Sequence, residues 1–371
     1  MKSNEICKKH YLCTGCEACA NICPKDAINM KADWKGFLYP SIDQKKCIDC
    51  KLCQQRCPIN IPSSVPFKFG TARVYIDKKK EYLLQASSGG AFGTMARYVL
   101  SQKGTVFGCS MDDDYQVNYI SINKPEDLNL LHGSKYVQSY VGQIYREVKK
   151  TLQENRLALF CGCPCQVAGL KQYLHKDYKN LITMDLICHG VPSQPYFQKY
   201  VKDLLRRKKK MGIKSFRFRY KMDNYNDSEH TSSVYTGYIN QDFYMSYFLW
   251  GKGYRSSCYY CRFAGESRQG DFTIGDFGNN KTVHLPIDDS LGSSLILFNT
   301  QKAKELEPIF QQNGTCLPIY TLRDAIGDDG GQLKHPCKND IRTKLIYIFY
   351  KLLGLTGPKL LFSIEQIRFR L

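Results

Sequence analysis

Cys13, Cys16, Cys19 and Cys23 are followed by Pro24, and Cys47, Cys50, Cys53 and Cys57 are followed by Pro58. One run, C-x2-C-x2-C-x3-C-P, is therefore written twice within the first sixty residues. Three cysteines two apart sit on one tight loop, so their sulfurs converge on three irons of a single cube. The fourth is swung away and reaches the other cube. The spacing predicts one 4Fe-4S cluster on Cys13, Cys16, Cys19 and Cys57, and a second on Cys47, Cys50, Cys53 and Cys23. Each proline keeps the residue before it out of helix and ends the run. The competing reading is a pair of zinc sites in a C-x2-C…C-x2-C layout. Two sets of four, each closed by proline, fit the iron–sulfur run better. Two interdigitated cubes suit one-electron relay. Cys7 lies outside the pattern and reads as a spare thiol.

Ten cysteines remain. Cys165, Cys188, Cys258 and Cys261 fall at the ends of strand patterns or in tight loops. The C-terminal edges of a parallel sheet bring distant pieces of chain together, so these four could form a third iron–sulfur site. Zinc, a redox disulfide and no metal at all stay open on spacing alone. Ser87-Ser88-Gly89-Gly90 opens the apolar run Ala91, Phe92, Met95, Ala96, Val99, Leu100. A serine/glycine loop feeding a helix offers free N–H groups and a positive dipole end to a phosphate; it also suits an ordinary serine cap. His189 and Asp276, near strand ends, are candidate proton donors or plain hydrogen-bonding residues.

Strands and helices must position these residues. Arg73–Asp77, Leu157–Phe160, Ile182–Ile187, Asp271–Asp276 and Ser294–Phe298 read as strands, and Tyr196–Lys210 as an amphipathic helix. Ser215–Lys221 alternates aromatic and basic residues like a half-buried strand. The order of strands, loops and helices implies an α+β or α/β fold: a ferredoxin-like two-cluster domain over 1–60, a linker over 61–70, and a mixed α/β body. The body divides into 71–150 and 151–340, and an apolar, basic helical tail covers 341–371. The tail reads as a helical pair broken at Gly357-Pro358 that docks on the body, with an interfacial membrane contact as the alternative.

Composition bounds the function. The chain has 371 residues, 18 cysteines and a formal charge of +19. With no apolar leader the cysteines point to metal or redox chemistry rather than disulfides, in a cytoplasmic protein. No apolar run reaches the ~18 residues that a membrane span needs. The basic surplus could attract acidic partners or an anionic membrane face. Nucleic acid is not expected as the partner, because the cations at 206–210 suit a helix C-terminus and those at 215–221 a one-sided strand. No complete G-x-G-x-x-G fingerprint for a nicotinamide cofactor occurs.

Six segments occur in one order: Ser88-Gly89-Gly90-Ala91, Gly133-Ser134-Lys135-Tyr136-Val137-Gln138, Phe160-Cys-Gly-Cys-Pro-Cys-Gln166, Asp185-Leu-Ile-Cys-His-Gly190, Cys258-Tyr-Tyr-Cys-Arg262 and Gly270-Asp-Phe-Thr-Ile-Gly-Asp276. Together they resemble the family of coenzyme F-420 hydrogenase/dehydrogenase beta subunits, with a bacterial-type ferredoxin module in front. The resemblance implies an FAD- and iron–sulfur-dependent oxidoreductase. It places Ser88, Gly89, Gly90, Gly133, Ser134, Lys135 and Tyr136 along the FAD, with Lys135 as the cation for the diphosphate. It also implies a third 4Fe-4S cluster on Cys165, Cys188, Cys258 and Cys261. The family usually has threonine where Cys163 stands, and Cys161 adds a further thiol, so which cysteine of this loop ligates is open. The implied function is relay of single electrons between the clusters and FAD. Hydride would pass to or from a small-molecule substrate or a deazaflavin-type coenzyme. The alternative is an electron-transfer subunit serving a partner such as ferredoxin or another oxidoreductase subunit.

Overall fold

The computed structural model describes residues 6–61, 71–208, 215–219, 221, 230–232, 242–278, 283–327 and 331–368. The sequence repeat is also a backbone repeat. Glu17 and Lys51 both sit at φ 60° and start the short helices α1 (Ala18–Ile22) and α2 (Leu52–Gln55). One residue before the second cysteine of each run, Gly15 and Asp49 also have positive φ, at 67° and 51°. Strands β1 (Ile28–Ala32) and β2 (Leu38–Ile42) form an antiparallel ladder between the two halves. Ile6, Ile28 and Ile42 pack against Cys19, Cys23 and Cys53, so ligand-type sulfurs make up part of this small core. A unit of about 60 residues is marginal on burial alone and gains most from bound metal.

Beyond it lies an eight-stranded mixed sheet, in the order β12-β3-β11-β10-β7-β6-β4-β5 among the described residues. The strands are β3 (Ala72–Asp77), β4 (Thr105–Met111), β5 (Val117–Ile122), β6 (Ala158–Gly162), β7 (Leu181–Leu186), β10 (Phe272–Asp276), β11 (Ser294–Phe298) and β12 (Gly314–Ile319). The small ladder of β8 (Ser215–Arg217) and β9 (His230–Ser232) stands apart. The central strands β4, β6, β7 and β10 run parallel. Their C-terminal ends therefore share one edge, where the chain emerges at Cys163, Cys188 and Phe277. The helices are α3 (Lys80–Gln85), α4 (Ala91–Ser101), α5 (Ile144–Gln153), α6 (Pro164–Leu174), α7 (Gln194–Lys208) and α8 (Phe243–Leu249). They continue with α9 (Gln301–Glu305), α10 (Glu307–Asn313), α11 (Leu322–Ile326), α12 (Ile341–Leu353) and α13 (Thr356–Arg368).

The strands are buried on both faces, as parallel sheets require. Leu159, Ile182, Met184 and Phe272 face Met95, Val99 and Phe310 of α4 and α10. Ala158, Phe160 and Leu181, one residue out of phase, face Val148, Val167 and Leu170 of α5 and α6. Cys16 and Ala18 of the N-terminal unit join that second layer.

Several expectations change here. The strand expected at 215–221 is regular only over β8, with Phe216 and Phe218 buried and Arg217 exposed; Tyr220 lies outside the described residues. The same holds for residues 62–70 of the expected linker and for the end of the 196–210 helix. The tail is a helical pair docked through Ile346, Tyr347, Leu355 and Phe362 onto an aromatic core with Tyr196, Tyr244 and Tyr247. Its break falls at Gly354, not at Gly357-Pro358, which lie inside the first turn of α13. Proline is tolerated there because that turn has no N–H to lose. Among the described residues no helix is long and apolar enough to cross a membrane.

One ion pair is sealed under the shared strand edge. Arg268 Nη2 meets Asp185 Oδ1 at 3.0 Å, with side chains 1% and 0% exposed. Removing one partner of such a pair leaves a buried charge unmatched. Arg268→Ala should therefore lose about 3–5 kcal/mol of stability, read as a lowered denaturation midpoint at unchanged slope.

Candidate functional site

The two cysteine runs line two cavities. One is bordered by Cys13, Cys16, Cys19 and Cys57, the other by Cys47, Cys50, Cys53 and Cys23. The fourth cysteine of each run thus faces the other run's cavity. Burial pushes Cys16 and Cys53 each up to about 11 and Cys19 well above the usual thiol value. Such thiols give up their protons only to a partner that supplies positive charge, as a metal does. Among the described residues no three Cys, His, Asp or Glu side chains close on a point that one ion could occupy. The sulfurs ring their cavities instead, which fits a cube better than a single zinc.

Cys7 is not the bystander its position outside the run suggests. It is 4% exposed, lines the cavity of Cys13 and Cys57, and its thiol donates to Lys9 O at 3.2 Å. Its spacing carries no signal; only the folded N-terminus brings it in.

At the shared strand edge, Cys165, Cys188, Cys258 and Cys261 come together. Cys165 interacts electrostatically with Cys188, Cys261, Cys16 and Cys258, and Cys258 with Cys188 and Cys261. Cys165 sits in the first turn of α6, behind a capping box in which Cys163 is the N-cap and Gln166 reaches back to it. Cys163 joins the group, its sulfur 3.8 Å from that of Cys188. Cys161 does not: it packs on the α4 face of the sheet, near Cys109 and Lys135. The alternation of β6 sends it there.

Two arginines hold these loops. Arg268 ties Asp185, three residues before Cys188, to the segment after Cys261. Gln269 N and Gly270 N also donate to Asp185, at 2.7 and 2.9 Å. Arg255, fully buried, donates to Cys13 O at 2.7 Å, Leu38 O at 2.8 Å and Gln138 Oε1 at 3.1 Å. The N-terminal unit is clamped elsewhere too. Glu17 accepts from Val141 N and Gly142 N at 2.8 and 3.0 Å, and Arg262 donates to Ile59 O at 2.7 Å. A Cβ on Gly169 of α6 would lie 3.1 Å from Cys16 Sγ, so the missing side chain lets the first cavity abut α6.

The residues expected along FAD also lie near one another. Ser87 Oγ accepts from Ser134 N at 2.6 Å, and Ser88 Oγ donates to Ser293 O at 2.5 Å. Gly89 is pressed against β3 and β11, where a Cβ would meet Tyr75 O at 2.0 Å; one on Gly133 would meet nothing within 4 Å. Gly90 caps α4 with no side-chain cap bond. Lys135 is drawn inward, its ammonium on Leu131 O and His132 O at 3.1 and 2.9 Å, and burial lowers its proton affinity. Arg219 donates to Ser87 O at 3.1 Å, pairs with Asp276 at 2.6 Å and lies over the ring of Tyr136. Lys221 donates to Ser88 O at 2.6 Å, and burial with Arg219 nearby brings it down to about 8. Sequence reasoning assigned Arg219 and Lys221 only to the solvent face of a strand. His189 is half-buried beside Phe248; burial lowers its proton affinity, against the opposing pull of Asp276.

Two four-cysteine runs in the N-terminal unit, a third cysteine group at the edge of a mixed sheet and a matching pair of sequence families define an iron–sulfur protein of the oxidoreductase type. Residues 12–61 match the 4Fe-4S dicluster domain, and residues 155–316 match the C terminus of the coenzyme F420 hydrogenase/dehydrogenase beta subunit. The chain thus joins a 4Fe-4S dicluster domain to a C-terminal domain of the coenzyme F420 hydrogenase/dehydrogenase beta-subunit type. It is similar to the F subunit of the F(420)H(2) dehydrogenase of Methanosarcina mazei, 23% identical over 191 residues, covering 48% of this chain and 54% of the relative. It is also similar to an uncharacterized polyferredoxin-like protein of Methanocaldococcus jannaschii, 38% identical over 56 residues, 13% of this chain and 33% of the relative. The chain thus spans about a third to a half of these two relatives. A chain of the F420-reducing NiFe hydrogenase complex from Methanosarcina barkeri aligns with TM-score 0.46 and 18% identity, over 70% of this chain and 85% of that one.

The geometry separates the cysteines of the 161–165 loop. Cys165→Ser should lower bound iron by about four atoms per chain, whereas Cys161→Ser should keep the full complement. Iron and sulfide analysis of both variants, purified without oxygen, checks this; equal loss in both would contradict it.

Proposed function

We propose that the chain is an iron–sulfur flavoprotein oxidoreductase that relays single electrons and exchanges hydride with a small molecule or a deazaflavin-type coenzyme. The observation that carries the reading is the common wall. Cys16 of the first cavity abuts α6 at Gly169, one turn along the helix from Cys165. When bound, 4Fe-4S cubes carry one electron each, and a flavin converts single electrons to hydride.

The chain's own residues would do the rest. Cys13, Cys16, Cys19 and Cys57 would hold one cluster, Cys47, Cys50, Cys53 and Cys23 a second, and Cys165, Cys188, Cys258 and Cys261 a third. Cys16, Cys19 and Cys57 are buried, which keeps water from the first site, whereas Cys50 of the second is exposed. Gly90 at the start of α4, together with Arg219 and Lys221 beside Ser87 and Ser88, suits the diphosphate of FAD. Lys135 lies close by, and Tyr136 and Phe248 supply aromatic walls. Asp77, near Gly90, is already matched by Arg97 and Thr94. His189 is the better candidate to hold a proton near the strand edge, since Asp276 is engaged by Arg219. Similarity to a protein named for F(420)H(2) dehydrogenation supports a deazaflavin partner.

A second reading is an electron-transfer subunit with no substrate of its own, serving another oxidoreductase subunit. The engagement of Asp276 by Arg219, which occupies a candidate proton donor, favours it.

Iron and flavin per chain, measured on protein purified without oxygen, test the proposal. About twelve irons with one FAD are expected; about eight irons and no flavin would sink the flavin assignment. A pH profile tests Lys221. Its proton is held below about 8 and lost above, so FAD affinity should fall as pH rises through that value. Lys221→Arg should flatten the profile.

A further inference from the structure

Arg255 is 0% exposed, and among the described residues no carboxylate forms an ion pair with it. Its guanidinium rests 4.1 Å from the centre of the Tyr39 ring and donates to Cys13 O, Leu38 O and Gln138 Oε1. Its Nη2 is 3.8 Å from Cys13 Sγ. Three residues on lies Cys258, whose thiol feels the same positive charge. Its oxygen acceptors are carbonyls and an amide, with the Tyr39 and Phe37 rings beside it, and Glu17 feels its charge without pairing with it, so this buried cation has no directly bound carboxylate to balance it. A 4Fe-4S cube with four thiolates is an anion, and the Cys13 cavity lies against the guanidinium.

The ferredoxin repeat makes the comparison internal. A Cβ on Gly15 would come within 2.9 Å of Arg255 Nη1 and 2.7 Å of Gln138 Nε2. Glycine at this positive-φ position is what admits the guanidinium. The matching position of the second repeat is Asp49, with the same kind of backbone, exposed and carrying a negative charge beside Cys47 and Cys50. The inner run therefore meets a sealed cation, whereas the charges that line the outer cavity, Asp49, Lys25 and Lys51, are all exposed and screened by solvent. Glu17 opposes the effect, but its carboxylate is turned to Val141 N and Gly142 N. Lys51, its counterpart in the outer run, is exposed and screened by solvent.

We propose that Arg255 sets the direction of the relay: its buried charge makes the Cys13–Cys16–Cys19–Cys57 centre easier to reduce than the Cys47–Cys50–Cys53–Cys23 centre. An electron entering from a low-potential one-electron donor then comes to rest on the inner centre, beside Cys165. This rests on the two-cluster reading of the first sixty residues.

The test is a redox titration of the full chain, loaded with iron without oxygen, with dithionite as reductant and electron paramagnetic resonance as readout. Cys50→Ser marks the signal of the outer centre. In the wild-type chain the inner centre should be reduced first. In Arg255→Met its reduction should become at least about tenfold less favourable, or about 59 mV for one electron, with the outer centre unmoved. Arg255→Lys, which keeps the charge, should retain most of the wild-type value. An unmoved inner centre in Arg255→Met, or an equal shift in both centres, overturns the proposal. If Arg255→Met does not hold its iron, the wild-type order decides, and an outer centre reduced first overturns it. Fewer than about eight irons per wild-type chain would instead remove the two-cluster reading, before any potential is compared.

Discussion

A carboxylate without water needs a donor for each lone pair, and Asp185 has them. Arg268 and Thr273 serve one oxygen, and the N–H groups of Gln269 and Gly270 serve the other. This requirement does more than stabilise β7. It fixes the end of the strand that delivers Cys188 against the segment that follows Cys258 and Cys261. Arg268 adds a bond to Leu186 O at 2.7 Å, so the strand end and the loop move as one. The third cysteine group is thus built on a satisfied buried charge rather than on a flexible loop, as a site needing tight geometry should be.

The same logic joins the first sixty residues to the body. Arg146, Arg255 and Arg262 cross the junction and end mostly on backbone carbonyls, while Glu17 crosses it to accept two backbone N–H groups. Bonds to main chain hold a conformation rather than merely a neighbour. Apart from Leu38 O, which Arg255 also meets in β2, these carbonyls belong to or flank a cysteine run, so docking and ligand geometry are set together. The ferredoxin-like unit shares a core with α5 and α6 rather than hanging from a linker, and this brings Cys16 against α6.

The region expected to take FAD is organised differently. Its cations are bound to carbonyls or to Asp276 and so are already oriented. Holding charged side chains in place beforehand lowers the ordering cost of binding an anion. The glycines divide the work: Gly89 lets two strands close over the loop, and Gly133 leaves space open.

Much of this was legible in the sequence because local spacing is itself the chemistry. Two C-x2-C-x2-C-x3-C-P runs name a cluster type and predict that each run lends its last cysteine to the other cavity, since loop geometry is set by neighbours in the chain. The strands were readable because double-sided burial demands continuous apolar runs such as Ser294–Phe298. The break at Gly354 was misplaced because proline reads as a stop whether it ends one helix or begins the next. Cys7, Arg219, Lys221 and Arg255 carried no spacing that marks them. Their roles come from contacts across long stretches of chain, such as Arg255 on Cys13, 242 residues apart. The choice between Cys161 and Cys165 was equally out of reach, since it depends on which face of β6 Cys161 meets and on where the first turn of α6 carries Cys165. The sequence by itself determined which residues could hold metal and in what repeat. Only the tertiary structure decided which of them share a wall and which buried charge stands beside them, because charge and distance act through space and not along the chain.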